Sequence, residues 1–249
     1  MKETMMRGSY RCVLCAFSVS LAALAGCEAE PSQTSDEALK ETRVSTEETT
    51  EEVERLGVRD AVGQIFVVGM DGTAPNNHIE KMVDERNVGG VLLLGHNMES
   101  EEQTRELADS LQHLSMETQP ATPLFVAVDH EGGEVQGAPW VRAQASAAEV
   151  GGRADPEETR RISERIGGEL RLGGVNMNLA PVVDTGSGAA IGSRSYGDDP
   201  ALVALMGEAA VGGFKEAGVV SAAKHFPNHG PPSKTRTSRG PSWTTTVRP

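Results

Sequence analysis

Leu124-Phe125-Val126-Ala127-Val128-Asp129-His130-Glu131-Gly132-Gly133 passes from an unbroken apolar run into charge and then glycine. A strand with one wet face alternates apolar and polar side chains. A continuous apolar run reads instead as a strand buried on both faces of a parallel sheet. Four other stretches share the pattern: Gly63 to Gly69, Val88 to Leu94, Met177 to Asp184 and Val219 to His225. Helical patterns separate them. Ser100 stands as an N-cap before Glu101, Glu102 and Gln103, after which Leu107, Leu111 and Leu114 fall on one face. Asp155-Pro156 and Asp199-Pro200 each set a capping carboxylate before a proline at a first helical position, the second ahead of Leu202 to Phe214. Repeated βα units predict an α/β fold, either a doubly wound sheet or a TIM (β/α)8 barrel.

Polar residues collect where the apolar runs stop. Asp129-His130-Glu131 follows the third run, Asn176 and Asn178 flank the start of the fourth, Asp184 closes it, and Lys224-His225 closes the fifth. In βα folds, ligands bind outside the carboxyl ends of the strands. Carboxylates, a lysine and an imidazole in one place suit a polyhydroxylated ligand, because charge-assisted hydrogen bonds can orient its hydroxyls. Each residue alone has a plainer reading: an Asp at a strand end caps the next helix, and a Lys-His pair is a solvated loop. Their repetition at successive strand ends favours a site.

Composition narrows the partners. The 249 residues carry a net charge of −13, which argues against nucleic acid and anionic membrane surfaces, where basic patches supply the affinity. The three cysteines stand at 12, 15 and 27, so the chain beyond them has no disulfide framework and no thiolate metal site. Lys2, Arg7 and Arg11 precede an apolar run from Val13 to Ala25, too short to span a bilayer and suited to a signal-peptide core. It ends in Leu24-Ala25-Gly26-Cys27, which resembles a bacterial lipobox. That resemblance implies cleavage before Cys27, lipid on its thiol and anchoring on the extracytoplasmic side of a membrane. A plain secretory signal is the alternative. Cys12 and Cys15 lie inside the signal, and their spacing is read as chance. Residues 28–55 hold ten acidic residues against Lys40, Arg43 and Arg55, with few large apolar side chains. Such a segment buries too little surface to offset its ordering entropy and reads as a flexible tether, whose end from Thr50 to Leu56 begins the first helix.

Three motifs, in order, carry a family resemblance: Asp129-His130-Glu131-Gly132-Gly133-Glu134-Val135-Gln136, Ile191-Gly192-Ser193-Arg194-Ser195-Tyr196-Gly197, and Lys224-His225-Phe226-Pro227-Asn228-His229-Gly230. Together they resemble the N-terminal barrel domain of family 3 glycoside hydrolases, and the last resembles the β-N-acetylhexosaminidase branch. The resemblance covers roughly Val53 to Gly230. It implies a (β/α)8 barrel, here incomplete with about five βα units. It also implies a retaining exo-glycosidase that releases terminal N-acetylglucosamine from chitooligosaccharides or peptidoglycan fragments. Asp129, Arg194, Lys224 and His225 would hold the sugar, and no cofactor or metal is implied. The divisions expected are a signal peptide over 1–26, the lipidated Cys27 and tether over 27–55, the partial barrel over 56–230 and a basic tail over 231–249.

The departures from that family pattern are specific. Arg is usual at the positions of Glu134 and Gly137, and Gly at that of Asn228. After Gly230 the family continues Asp-Thr-x-x-Asp-Ser-His, whose His serves as acid/base, and a later strand-end Asp is the nucleophile. This chain reads Pro231-Pro232-Ser233-Lys234-Thr235-Arg236-Thr237-Ser238, and Lys234, Arg236, Arg239 and Arg248 meet no acidic residue before Pro249. A displaced reading frame accounts for the change: with allowed codons, Lys-Thr-Arg-Thr-Ser from Lys234 becomes Asp-Ser-His-Val, with the His at the slot of Thr237. A genuine basic tail is the alternative. Asp184 and Glu131 are carboxylates in the region, yet neither matches the family nucleophile, so the chain as it stands is expected to be inactive. A non-catalytic sugar-binding lipoprotein, an inactive fragment and a doubly wound binding protein are the competing readings.

Overall fold

The computed structural model describes residues 56–186 and 191–229. The signal, Cys27 and the tether lie outside the described residues, as does the tail from Gly230.

The order is α1 (Val58–Gln64), β1 (Val67–Gly69), α2 (Asn77–Asp84), β2 (Gly90–Leu93), α3 (Glu101–Met116), β3 (Phe125–Val128), β4 (His130–Gly132), β5 (Val135–Gln136), α4 (Ala147–Arg153), α5 (Pro156–Leu172), β6 (Met177–Asn178), α6 (Pro200–Glu216) and β7 (Val220–Ser221). Five strands form one sheet in the order β1-β2-β3-β6-β7, all parallel. β4 and β5 form a separate antiparallel hairpin. The five expected strands are therefore present, in chain order, as consecutive βα units of an open barrel wall. A doubly wound sheet would reverse its strand order at a switch point, and this one does not.

Burial explains the apolar runs. Val91, Leu93, Val126, Ala127 and Val128 are completely buried, the condition of strands covered on both faces. Ile79, Leu107, Leu111, Ile166 and Leu170 pack over them from α2, α3 and α5. α3 begins where Ser100 accepts a hydrogen bond from Gln103 N–H, and Asp155 and Asp199 cap α5 and α6 ahead of their prolines. α5 and α6 approach closely at Gly213, where a Cβ would lie 2.2 Å from Arg160 O.

Some expectations need correction. Gly63 and Gln64, read as strand, are the last residues of α1, and the first strand is only Val67–Gly69. Gly63 packs where a Cβ would meet Arg86 O at 2.0 Å, a close approach that a helix end meets as readily as a strand. The first helix begins at Val58 after Gly57, so Leu56 precedes it; Thr50 to Arg55 lie outside the described residues. Asn176 and Asn178, read as site residues, serve the sheet. Asn176 Oδ1 accepts from Val126 N–H at 2.8 Å and its Nδ2 donates to Leu124 O at 2.9 Å. Asn178 Oδ1 accepts from His130 N–H at 3.0 Å and its Nδ2 donates to His130 O at 2.8 Å. The two amides extend the ladder of β6, whose own pairing with β3 covers only two residues.

Candidate active site

The carboxyl ends of β3, β6 and β7 bring the charged groups together. Asp129 leaves β3 and Glu131 follows two residues later in extended chain, so both carboxylates point the same way. Lys224 lies three residues beyond β7, in an isolated parallel bridge to Val182, with Val183 N–H donating to Lys224 O at 2.7 Å. Its ammonium meets Asp129 Oδ1 at 2.5 Å and Glu131 Oε1 at 2.6 Å. Arg194 ends the 3₁₀ turn Gly192–Arg194 and grips Glu131 with two bonds, Nε to Oε2 and Nη2 to Oε1, each 2.7 Å. This fork geometry is the strong form of an arginine–carboxylate pair.

A second knot lies beside the first. Asp184 is fully buried, and its Oδ2 meets His225 Nδ1 at 2.6 Å. The backbone N–H groups of His225 and His229 donate to the same carboxylate at 3.2 and 2.7 Å. The His225 and His229 rings stand edge to face, 4.6 Å apart. Ser195 donates to Asp184 O at 2.7 Å, which holds the Ile191 to Gly197 segment against the same strand end. Asn228 keeps a φ of 147°, a backbone region that suits glycine, and its amide donates to Thr185 Oγ1 at 2.9 Å.

The electrostatics follow from these contacts. Burial pushes the Glu131 carboxyl up, but the bonds from Arg194 and Lys224 outweigh it and leave it below the usual carboxylate range. Burial likewise raises Asp184, and the His225 side chain and His229 N–H reverse the direction. Arg194 is pushed up by its bond to Glu131. Exposure separates the carboxylates. Glu131 is 6% exposed and already saturated by cations, whereas Asp129 is 38% exposed and open to a ligand. His225 is about a third exposed, with Nδ1 turned to Asp184.

Of the four residues expected to hold a sugar, Asp129, Lys224 and Arg194 therefore gather around Glu131, and His225 turns to Asp184 alongside. Sequence reasoning missed Glu131 as the hub. The available signal was its two-residue offset from Asp129. It also missed His130, which sits between them with no exposure: Nδ1 accepts from Ala138 N–H at 3.3 Å, Nε2 has no partner among the described residues, and burial pushes the imidazole down to about 4. Among the described residues no group of three or more His, Cys, Asp or Glu is arranged to hold a metal ion. Charges fixed in this way can hydrogen-bond to hydroxyls.

Comparison with known proteins places the chain in a family. The family model described as "Glycosyl hydrolase family 3 N terminal domain" matches residues 57–248. The β-hexosaminidase of Alkalilimnicola ehrlichii is 35% identical over 175 residues, which are 66% of this chain and 49% of that protein. The glycoside hydrolase family 3 β-N-acetylglucosaminidase of Paenibacillus sp. str. FPU-7 superposes with a TM-score of 0.68 at 35% identity, covering 71% of this chain and 34% of that one. NagZ of Neisseria gonorrhoeae, solved in complex with N-trifluoroacetyl-D-glucosamine, has a TM-score of 0.59 at 27% identity, covering 66% and 50%. This chain spans half or less of the length of each of these relatives.

Proposed function

Because the chain belongs to glycosyl hydrolase family 3 through its N-terminal domain, we propose that its strand-end cluster holds the terminal amino sugar of a β-linked glycan, of chitooligosaccharide or peptidoglycan type. The observation that carries this is the pairing of Lys224 with Asp129 beside the Arg194–Glu131 fork. Donors and acceptors whose positions are fixed by one another can bind vicinal hydroxyls without first being ordered. In this reading Asp129, Arg194, Lys224 and His225 hold the sugar, and Glu131 and Asp184 orient them.

The reaction of the complete enzyme is a retaining hydrolysis, which needs an acid/base and a nucleophile on opposite sides of the anomeric carbon. The segment after Gly230 departs from the motif that carries the matched acid/base. Glu131 and Asp184 are poor substitutes, because both are nearly inaccessible and fully engaged. In this reading residues 57–229 hold the sugar, the departure after Gly230 removes the matched acid/base, and restoring the frame there returns activity. The alternative, a non-catalytic sugar-binding lipoprotein, shares the binding step and differs in that no frame restores hydrolysis. Anchoring through a lipid on Cys27 belongs to either reading and rests on the Leu-Ala-Gly-Cys ending of the apolar run.

The test is to purify the 249-residue and frame-restored forms and assay both on an aryl N-acetylglucosaminide. We expect turnover only from the restored form, and Lys224→Ala in it to weaken binding by about 1.5–3 kcal/mol for each charge-assisted hydrogen bond lost. Robust turnover by the 249-residue form, abolished by Glu131→Ala or Asp184→Ala, would overturn the reading.

A further inference from the structure

Asp129 and Glu131 flank His130, and His130 is held at both its side chain and its backbone. The imidazole is completely buried, with Nδ1 accepting from Ala138 N–H at 3.3 Å. Both backbone groups go to one side chain: Asn178 Oδ1 accepts from His130 N–H at 3.0 Å, and Asn178 Nδ2 donates to His130 O at 2.8 Å. Asn178 is itself completely buried, so water does not compete for either bond. On the hairpin side, Asp129 O accepts from Gly137 N–H at 3.1 Å.

The sequence shows why an amide is needed here. The last backbone bond from this stretch to β3 runs from Leu179 N–H to Val128 O at 2.8 Å. Pro181 follows two residues later and has no N–H to continue the ladder. Backbone support therefore ends at Val128, one residue before the first carboxylate of the cluster, and the Asn178 amide supplies the next rung. Asp129 and Glu131 then meet across Lys224, at 2.5 and 2.6 Å from its ammonium. A shift of His130 moves both carboxylates and their common cation with them. Charged groups recognise a ligand well only while their supports hold them to within a fraction of an ångström.

We propose that Asn178 is a positioning residue for the sugar cluster, holding Asp129 and Glu131 through the backbone of the residue between them. This rests on the reading that the cluster takes a terminal amino sugar. It gives a sheet amide a part in affinity.

Asn176 supplies the matched control. It makes the same two kinds of bond to β3, to Val126 N–H and Leu124 O, but roughly 10 Å or more along the strand from Asp129. Isothermal titration of the full chain with fully N-acetylated chitotriose, beside urea denaturation of each variant, separates site from scaffold. Asn176→Ala and Asn178→Ala should both lower the denaturation midpoint. Only Asn178→Ala should weaken binding, by about tenfold or more, the worth of one misplaced charge-assisted hydrogen bond. Asn176→Ser and Asn178→Ser can each still meet one backbone group, and this pair decides the matter if either alanine variant does not fold. Equal loss of affinity at the two positions, or no loss at Asn178, overturns the assignment while the sugar-binding reading stands. Failure of the unsubstituted chain to bind chitotriose overturns both.

Discussion

At the residue scale, two buried groups make distinct predictions. Glu131 is where two cations meet, and its loss leaves Arg194 and Lys224 without their shared partner. Glu131→Gln should lower stability by about 1.5–3 kcal/mol, read from urea denaturation, because a bidentate charged bond becomes a neutral one. An unchanged midpoint would mean that water replaces the carboxylate at no cost. His130 supplies a pH signature. Its folded value is about 4 against an ordinary 6.5, so the fold favours the neutral ring. Above 6.5 both states are neutral and nothing is lost. As pH falls below 6.5 the unfolded chain takes up a proton that the folded chain refuses, and stability drops until about pH 4. The full loss is about 3 kcal/mol at 1.36 kcal/mol per unit. Denaturation midpoints measured at pH 7 and pH 5 should differ less for His130→Leu than for the wild type, and equal slopes would refute the assignment.

At the scale of elements, Gly213 decides how α5 and α6 meet. A Cβ there would sit 2.2 Å from Arg160 O and 2.9 Å from Ser163 Cβ, so Gly213→Ala forces the helices apart. Despite alanine's better helix propensity, the variant should be destabilised by about 1–3 kcal/mol, the usual cost of overpacking, measured by thermal denaturation. A rise in the midpoint would show that the helix pair yields. The same scale shows what could be read beforehand. The five strands were legible because burial on both faces demands unbroken apolar runs, and α5 and α6 because Asp-Pro announces a helix start. Their lengths were not legible, since Met177–Asn178 and Val220–Ser221 lean on side-chain amides and bridges for the rest of their pairing. α4 was missed because Gly151 and Gly152 mask its helical pattern, although Ser146 and Glu149 form a capping box. The hairpin β4–β5 was missed because its strands are only three and two residues long. At the site, Asp129, Lys224 and His225 stood out as charge after apolar runs. Glu131 stood there with them, but its place as the hub was not legible, since it depends on Arg194, 63 residues away.

At the scale of the whole molecule, β1 and β7 each pair on one side only among the described residues, and Phe66, Val67 and Val220 are substantially exposed there. Unpaired edges with apolar side chains invite edge-to-edge association. Val220→Lys should therefore reduce concentration-dependent self-association in light scattering, and an unchanged profile would place the contact elsewhere. The proposed lipid anchor has its own check: if Cys27 carries it, Cys27→Ser should shift the protein from the membrane to the soluble fraction and abolish incorporation of labelled palmitate. The sheet's order has a temporal consequence. Strands lie side by side in the sequence in which a ribosome would release them, so each new βα unit finds its template already standing, much as a layer adds to a crystal face. Asn176 and Asn178 act as the check on that addition. A slip of one residue would present Val175, Met177 and Leu179 in their place, and four backbone groups of the preceding layer would go unanswered. Growth would stall at the misplaced layer until it let go and tried again.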